Sequence, residues 1–136
     1  MAGSALVDAG FLIALLSRRD GNHRWAAAQA LKTPPPWMAC ESVLSEAFHL
    51  LGTRGASALG ALLQRQAVII AFDLRAEIGR VLTLMAKYSD VPMSLADACV
   101  VRMTETLADP VLLTTDRDFR IYRRHGRHVI PLLTPI

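Results

Sequence analysis

Residues Ser4 to Asp8 form a short apolar run that ends in a carboxylate, and Ala9-Gly10 leads at once into a second apolar segment, Phe11 to Leu16. An apolar run of this length, stopped by a polar residue and restarted after a small-residue turn, predicts a buried strand, a tight connection and a helix. Strands buried on both faces belong to parallel sheets covered by helices, so the opening of the chain points to α/β architectures. In open sheets of that kind ligands bind beyond the carboxyl ends of the strands, where loops and helix starts diverge. Asp8 stands at such an end and is the first candidate for chemistry.

The rest of the chain repeats the strand-helix alternation. Asn22 is positioned as the N-cap of a helix from about His23 to Leu31, which Thr33-Pro34-Pro35-Pro36 ends. Trp37 to Ala39 reads as a short strand, and apolar positions 43, 44, 47, 48, 50 and 51 place one broad stripe on a helix from about Glu41 to Leu51. Gly52 to Gly55 breaks that helix, and Ser57 to Gln66 forms another. The β-branched run Ala67 to Ala71 predicts a third strand, and Asp73 caps a helix reaching about Lys87. Ser94-Leu95-Ala96-Asp97 is a capping-box pattern opening a helix to about Leu107, before a fourth strand from Val111 to Thr114 and a last one from His128 to Ile130. The expectation is a three-layer α/β/α Rossmann-like sandwich with a mostly parallel sheet of four to five strands, built as a single domain over residues 1–136.

Composition narrows the function classes. No apolar run approaches the roughly 20 residues a membrane helix needs, and the N-terminus lacks a secretory signal, so a soluble, cytoplasmic chain is expected. Cys40 and Cys99 lack Cys-x-x-Cys spacing, which argues against a zinc knuckle or a disulfide framework and leaves them as packing residues. His23, His49, His125 and His128 offer no metal-ligand spacing with a third ligand in register. Neither a Gly-x-Gly-x-x-Gly turn nor a Gly-Lys-Ser/Thr loop is present, which disfavours dinucleotide and nucleoside-triphosphate binding. The formal charge is +3, yet thirteen of the fifteen basic residues are Arg, and Arg117, Arg120, Arg123, Arg124 and Arg127 crowd together near the C-terminus. Arg favours bidentate phosphate contacts, so this run is a candidate clamp for a nucleic-acid backbone; a solvated basic face is the competing reading.

Four acids are candidates for one site. Asp8 follows the first strand and Asp116 follows the fourth, so both open into one crevice if those strands are neighbours at the switch point of a doubly wound sheet. Asp97 lies in the first turn of the helix before the fourth strand, and Glu46 lies in the helix after the second. Each has a competing structural role: Asp97 as the acidic member of its capping box, Asp8 and Asp116 or Asp118 as strand-end caps, and Glu46 as a solvated residue. Glu41, ~140° away around the same helix, competes with Glu46. Clustered carboxylates repel by on the order of 1 kcal/mol per pair in water and more at lower dielectric, so they either raise their pKa values or hold a cation. An oxygen-only set without His or Cys favours Mg²⁺ or Mn²⁺ over zinc.

In order and in context these acids resemble the PIN domain, and within it the VapC-type toxin ribonucleases. Leu6 to Leu16, continuing through Asp20-Gly21-Asn22-His23, is similar to the family's opening motif; Glu41 to Leu51 resembles the second, with its acid at Glu46; Ser94 to Ala98 resembles the third and Leu113 to Phe119 the fourth. Ala9 departs from the pattern, since the family usually has Thr or Ser there. The resemblance implies a metal-dependent endoribonuclease, frequent homodimers and a cognate VapB-like antitoxin that blocks the site. On that footing Asp8, Glu46, Asp97 and Asp116 are the expected catalytic and metal-binding residues, directly or through water, with one or two Mg²⁺ or Mn²⁺ ions. Thr114, Thr115 and Asp118 are possible additions, and Arg117, Arg120, Arg123 and Arg124 are expected to hold RNA. The competing functions are a metal-dependent DNA nuclease or phosphatase, and a non-catalytic Rossmann-like binding module.

Overall fold

The structure, a computed structural model, describes residues 3–136. At its centre is strand β1 (Ser4–Val7), in which Leu6 and Val7 have no solvent exposure. It pairs in parallel with β2 (Trp37–Ala39) on one side and with β4 (Pro110–Leu113) on the other. Strand β3 (Val68–Ile70) extends the sheet beyond β2, and β7 (Leu132–Leu133) extends it beyond β4, giving the parallel order β3-β2-β1-β4-β7. The chain therefore builds outward from β1 in one direction and returns to build in the other, so the switch point lies between β1 and β4. The register Val7↔Leu113 brings those two strand ends level. Asp8 consequently leaves the sheet level with Thr114, and Asp116 follows two residues later at the same end of the sheet.

Among the described residues five α-helices complete the α/β/α layers: α1 (Ala9–Leu16), α2 (His23–Lys32), α3 (Glu41–Gln64), α4 (Leu74–Lys87) and α5 (Leu95–Glu105). Phe11 on α1 is fully buried and meets Trp25 and Trp37 edge-on, with ring centroids 6.0 and 5.5 Å away, an arrangement the ring quadrupoles favour. Both tryptophans thus serve packing. Cys40 and Cys99 are buried free thiols, as their apolar setting anticipates. No helix among the described residues is long and apolar enough to cross a membrane.

Three local expectations change. The Asn22 side chain makes no capping bond; the carboxylate of Asp20 instead accepts from the Asn22 amide at 2.8 Å, so the turn closes before the helix begins. The break expected over residues 52–55 is present but confined to Gly52, which separates the two helical runs of α3, so the second run starts before the expected Ser57. Gly52 adopts φ 71°, a conformation only glycine takes at low cost, and the helix resumes immediately. The expected last strand does not join the main sheet. β5 (Arg123–Arg124) and β6 (His128–Val129) form a separate antiparallel hairpin, turned by His125 and Gly126 at positive φ. The fifth strand of the main sheet is the pair Leu132–Leu133, locked by bonds from Leu112 N to Pro131 O and from Thr114 N to Leu133 O. Two leucines between prolines carry almost no periodic signal, so only the open edge of β4 selects them.

Candidate active site

The carboxyl end of β1 passes into α1 through Asp8, which is the helix N-cap: its Oδ1 accepts the Phe11 amide at 2.9 Å. Its other oxygen accepts a hydrogen bond from the hydroxyl of Thr114, the residue that follows β4. Thr114 Oγ1 also accepts the Asp116 amide at 2.9 Å, so one buried hydroxyl ties the first strand-end acid to the loop carrying the second. Asp116 in turn begins the short 3₁₀ turn Arg117–Arg120, with its Oδ1 accepting the Asp118 amide at 2.9 Å. Gly10 is needed beside this loop, because any Cβ there would collide with Thr115 Oγ1.

Asp97 is the third member. The capping box forms as its spacing predicts, with Ser94 Oγ accepting the Asp97 amide at 3.0 Å and Asp97 Oδ2 accepting the Ser94 amide at 3.3 Å. The same Oδ2 receives the hydroxyl of Tyr122 at 3.1 Å. Tyr122 is fully buried, packed edge-on against Tyr88 and Phe119. It was not among the sequence-derived site residues. An isolated Tyr in an Arg-rich segment gives no local sign of its partner, 25 residues earlier in the chain.

Asp8, Glu46, Asp97 and Asp116 together line one cleft of about 130 Å³, walled by Ala9, Gly10, Val43, Ala96 and Val100. Glu46 enters from the second turn of α3, whereas Glu41 starts that helix and lies outside the cleft. Asp118 also lies outside the lining and takes part through its amide. Burial pushes the Asp8 carboxyl up to about 6, against the hydrogen bonds from Thr114 and Phe11, and the charges of Asp116 and Asp97 add to the rise. The Asp97 carboxyl is raised as well, first by burial and then by Asp116, with the Ser94 and Tyr122 hydrogen bonds opposing. Burial and the adjacent Asp97 charge raise the Tyr122 phenol, which keeps it a hydrogen-bond donor. The charges of Asp97 and Asp116 therefore reach Asp8 across the cleft, the condition under which a cation is attractive.

The arginines expected to hold RNA divide. Arg117 is exposed one residue beyond Asp116. Arg120 donates to the Ile136 carbonyl, and Arg123 donates to the Arg120, Ile121 and Tyr122 carbonyls. Arg124 donates to the Thr104 and Leu107 carbonyls at 2.5 and 2.8 Å, closing the end of α5. The last three guanidinium groups are thus engaged by the protein's own main chain. The histidines do not gather at the cleft: His23 Nδ1 lies 2.8 Å from the Ala14 carbonyl, and His125 and His128 sit in the exposed hairpin.

Comparison with known proteins agrees with this architecture. No curated protein matches the sequence. Among solved structures the chain is similar to Mycobacterium tuberculosis VapC20, described as a sarcin-ricin loop cleaving toxin, with a TM-score of 0.67 and 24% identity over 76% of this chain and 82% of that one. At that identity the likeness is one of fold. Residues 5–124 match the family model of the PIN domain, a span that runs from β1 to β5 and includes all four acids of the cleft. The chain belongs to the PIN domain family.

Proposed function

We propose that this protein is a divalent-metal-dependent endoribonuclease, the toxin of a toxin–antitoxin pair, which hydrolyses RNA phosphodiesters at the Asp8 cleft. The observation that carries the reading is the convergence of Asp8, Glu46, Asp97 and Asp116, from four separate segments, on one small cleft. Family membership and the fold likeness to a toxin that cleaves an RNA loop support RNA as the substrate.

The donor set fits a hard cation. It contains only carboxylate oxygens, which suits Mg²⁺ or Mn²⁺. Among the described residues no three Asp, Glu, His or Cys side chains stand close enough to grip a bare ion. That spacing suits Mg²⁺, which dehydrates reluctantly and is held by one or two carboxylates while retaining waters. One or two of Asp8, Glu46, Asp97 and Asp116 would hold it directly, and the others through its retained waters. When bound, the ion lowers the pKa of a coordinated water and neutralises charge on the phosphoryl oxygens.

The chain's own groups then have defined tasks. Thr114 fixes one oxygen of Asp8, and Tyr122 and the Ser94 amide fix Oδ2 of Asp97, so the carboxylates meet the substrate without reorganising. Val43 and Val100 keep one side of the cleft apolar, which strengthens its electrostatics. Arg117 takes a backbone phosphate beside Asp116, a contact that positions RNA without reading its bases. An antitoxin that occupies the cleft and a second copy of the chain are the implied protein partners.

The test is to incubate the purified protein with RNA, DNA and a small phosphate ester, in Mn²⁺ or Mg²⁺ and in chelator. RNA is expected to be cut only with metal present, and Asp8→Asn to abolish the cutting while the fold survives. Turnover of DNA or the ester in preference to RNA, or full activity in Asp8→Asn, sinks the reading.

A further inference from the structure

A second concavity, of about 720 Å³, lies apart from the acids, at the far end of α1 and along α3. It is lined by Leu16, Ser17, Arg18, Arg19, Leu51 and Arg54, with Gly55 beneath. No acid lines it. The bend at Gly52 shapes this groove by starting a new helical direction just before Arg54. Gly55 is buried, and a Cβ there would press on the Leu51 side chain.

All three arginines are exposed. Among the described residues both ion pairs belong to Arg102, and Arg18, Arg19 and Arg54 make no side-chain hydrogen bonds. This contrasts with Arg120, Arg123 and Arg124, whose guanidinium groups are occupied by main-chain carbonyls. Arg18, Arg19 and Arg54 are therefore three uncommitted cations gathered around one concave surface. Three like charges facing one hollow without a counter-charge favour an anion, and guanidinium forks match phosphate oxygens. Leu16 and Leu51 add apolar surface against which a ribose or base can lie.

The groove is also within reach of the acidic cleft. Ala9 and Gly10 line the cleft and Leu16 lines the groove, so α1 spans the interval with eight residues, about 12 Å at the helical rise. α3 makes the same connection from Glu46 to Arg54. A ligand that occupies both places is an extended polyanion with repeated phosphates.

We propose that the groove edged by Arg18, Arg19 and Arg54 binds the phosphodiester backbone of the RNA strand whose scissile phosphate lies at the Asp8 cleft, a few nucleotides away. This rests on the ribonuclease reading. Such contacts supply affinity and orientation without base discrimination.

The test uses the full chain carrying Asp8→Asn, so that binding is read without cleavage. Fluorescence anisotropy follows its binding to a labelled single-stranded RNA across a salt series. Arg18→Gln, Arg19→Gln and Arg54→Gln are combined in one variant, which keeps most of each side-chain stem. Arg65→Gln, Arg75→Gln and Arg80→Gln form a control with the same change in net charge; all three positions are exposed and outside both clefts. The groove variant is expected to lose at least about tenfold in RNA affinity and about 2 from the salt slope, the value for three phosphate contacts on a single strand. The control is expected to retain the parent slope. An unchanged slope in the groove variant, or equal losses in both variants, overturns the proposal. Loss of polyglutamate binding with unaltered RNA affinity assigns the groove to an acidic polypeptide and overturns it too. If the chain without Asp8→Asn fails to cut RNA, the ribonuclease reading falls, while the anisotropy comparison still decides the groove.

Discussion

Asp8→Asn is expected to make the metal-free protein more stable while removing its activity. Asp8 is 7% exposed, and burial pushes its carboxyl from 3.8 to about 6. A folded-state pKa above the unfolded value means that the protonated form favours folding. The associated stability is complete below about pH 4 and is lost as pH rises through about 6. A shift of that size corresponds to about 3 kcal/mol withheld from the fold near neutral pH when no cation is bound. Asn carries no charge, its Oδ1 can still accept the Phe11 amide, and its NH₂ can face Thr114 Oγ1, so most of the local geometry survives. Chemical denaturation in chelator should show Asp8→Asn ahead by about 3 kcal/mol near pH 7, by roughly half of that near pH 5, and by only about 0.5 kcal/mol near pH 4. In thermal melts near neutral pH the gain is roughly 10 °C for a chain of this size. Saturating Mg²⁺ should then stabilise the natural protein and leave the variant nearly unmoved, because a ligand stabilises only the folded state that binds it. A variant no more stable than its parent near pH 7, or a gain that persists undiminished at pH 4, would refute the reasoning.

Other consequences are as direct. Tyr122→Phe removes the hydroxyl on Asp97 Oδ2 and leaves the ring packing in place, so Mn²⁺ affinity measured by calorimetry should fall by about tenfold or more. An unchanged affinity would make the contact purely structural. Gly10→Ala drives a methyl group into Thr115 Oγ1 and should cost about 1–3 kcal/mol, seen as a lower denaturation midpoint. Arg124→Ala unties the Thr104 and Leu107 carbonyls at the end of α5 and should likewise cost about 1–3 kcal/mol; a neutral result would show that solvent replaces those bonds without loss. Chelation should abolish RNA cleavage, and Mg²⁺ or Mn²⁺ should restore it, whereas cleavage that continues in chelator contradicts a carboxylate-held cation.

The parts of the fold legible in the sequence are those with dense local signals. The run at residues 4–8 announced a buried inner strand, the β-branched run near Val68 a third strand, and Ser94 with Asp97 a helix start that forms with both of its reciprocal bonds. The end of the chain was harder to read because its pairing is decided at long range. His128 and Val129 look like a strand and are one, yet their partner is Arg123–Arg124, brought close by the three-residue reversal at 125–127. Leu132–Leu133 has no periodicity of its own and is recruited by the free edge of β4. The Arg-rich segment illustrates a different limit. Sequence composition registers charge but not what the charge is bonded to, and three of these guanidinium groups close turns and a helix end.

The acids were ambiguous in the sequence for a reason visible in the structure. Capping a helix and lining a cleft had seemed to be rival tasks for Asp8, Asp97 and Asp116, and each residue does both. A carboxylate has two oxygens and several lone pairs, so an N-cap bond consumes only part of its capacity. Asp97 spends Oδ2 on the Ser94 amide and the Tyr122 hydroxyl, and Asp116 spends Oδ1 on the Asp118 amide; the opposite oxygens keep their lone pairs. The caps are also what makes the cluster tolerable. Helix starts carry partial positive charge, and those of α1 and α5 meet at the cleft, offsetting some of the repulsion that brings the acids to seek a cation. The capping pattern that weakens each acid as evidence when taken alone is therefore the means by which the fold holds them together. Replacing Ser94 with Ala tests that link: it removes the hydroxyl that accepts the Asp97 amide and should loosen the first turn of α5 by about 1 kcal/mol. If capping orients the ligand as well as the helix, Mn²⁺ affinity must fall with it, and stability lost without any change in affinity would separate the two roles.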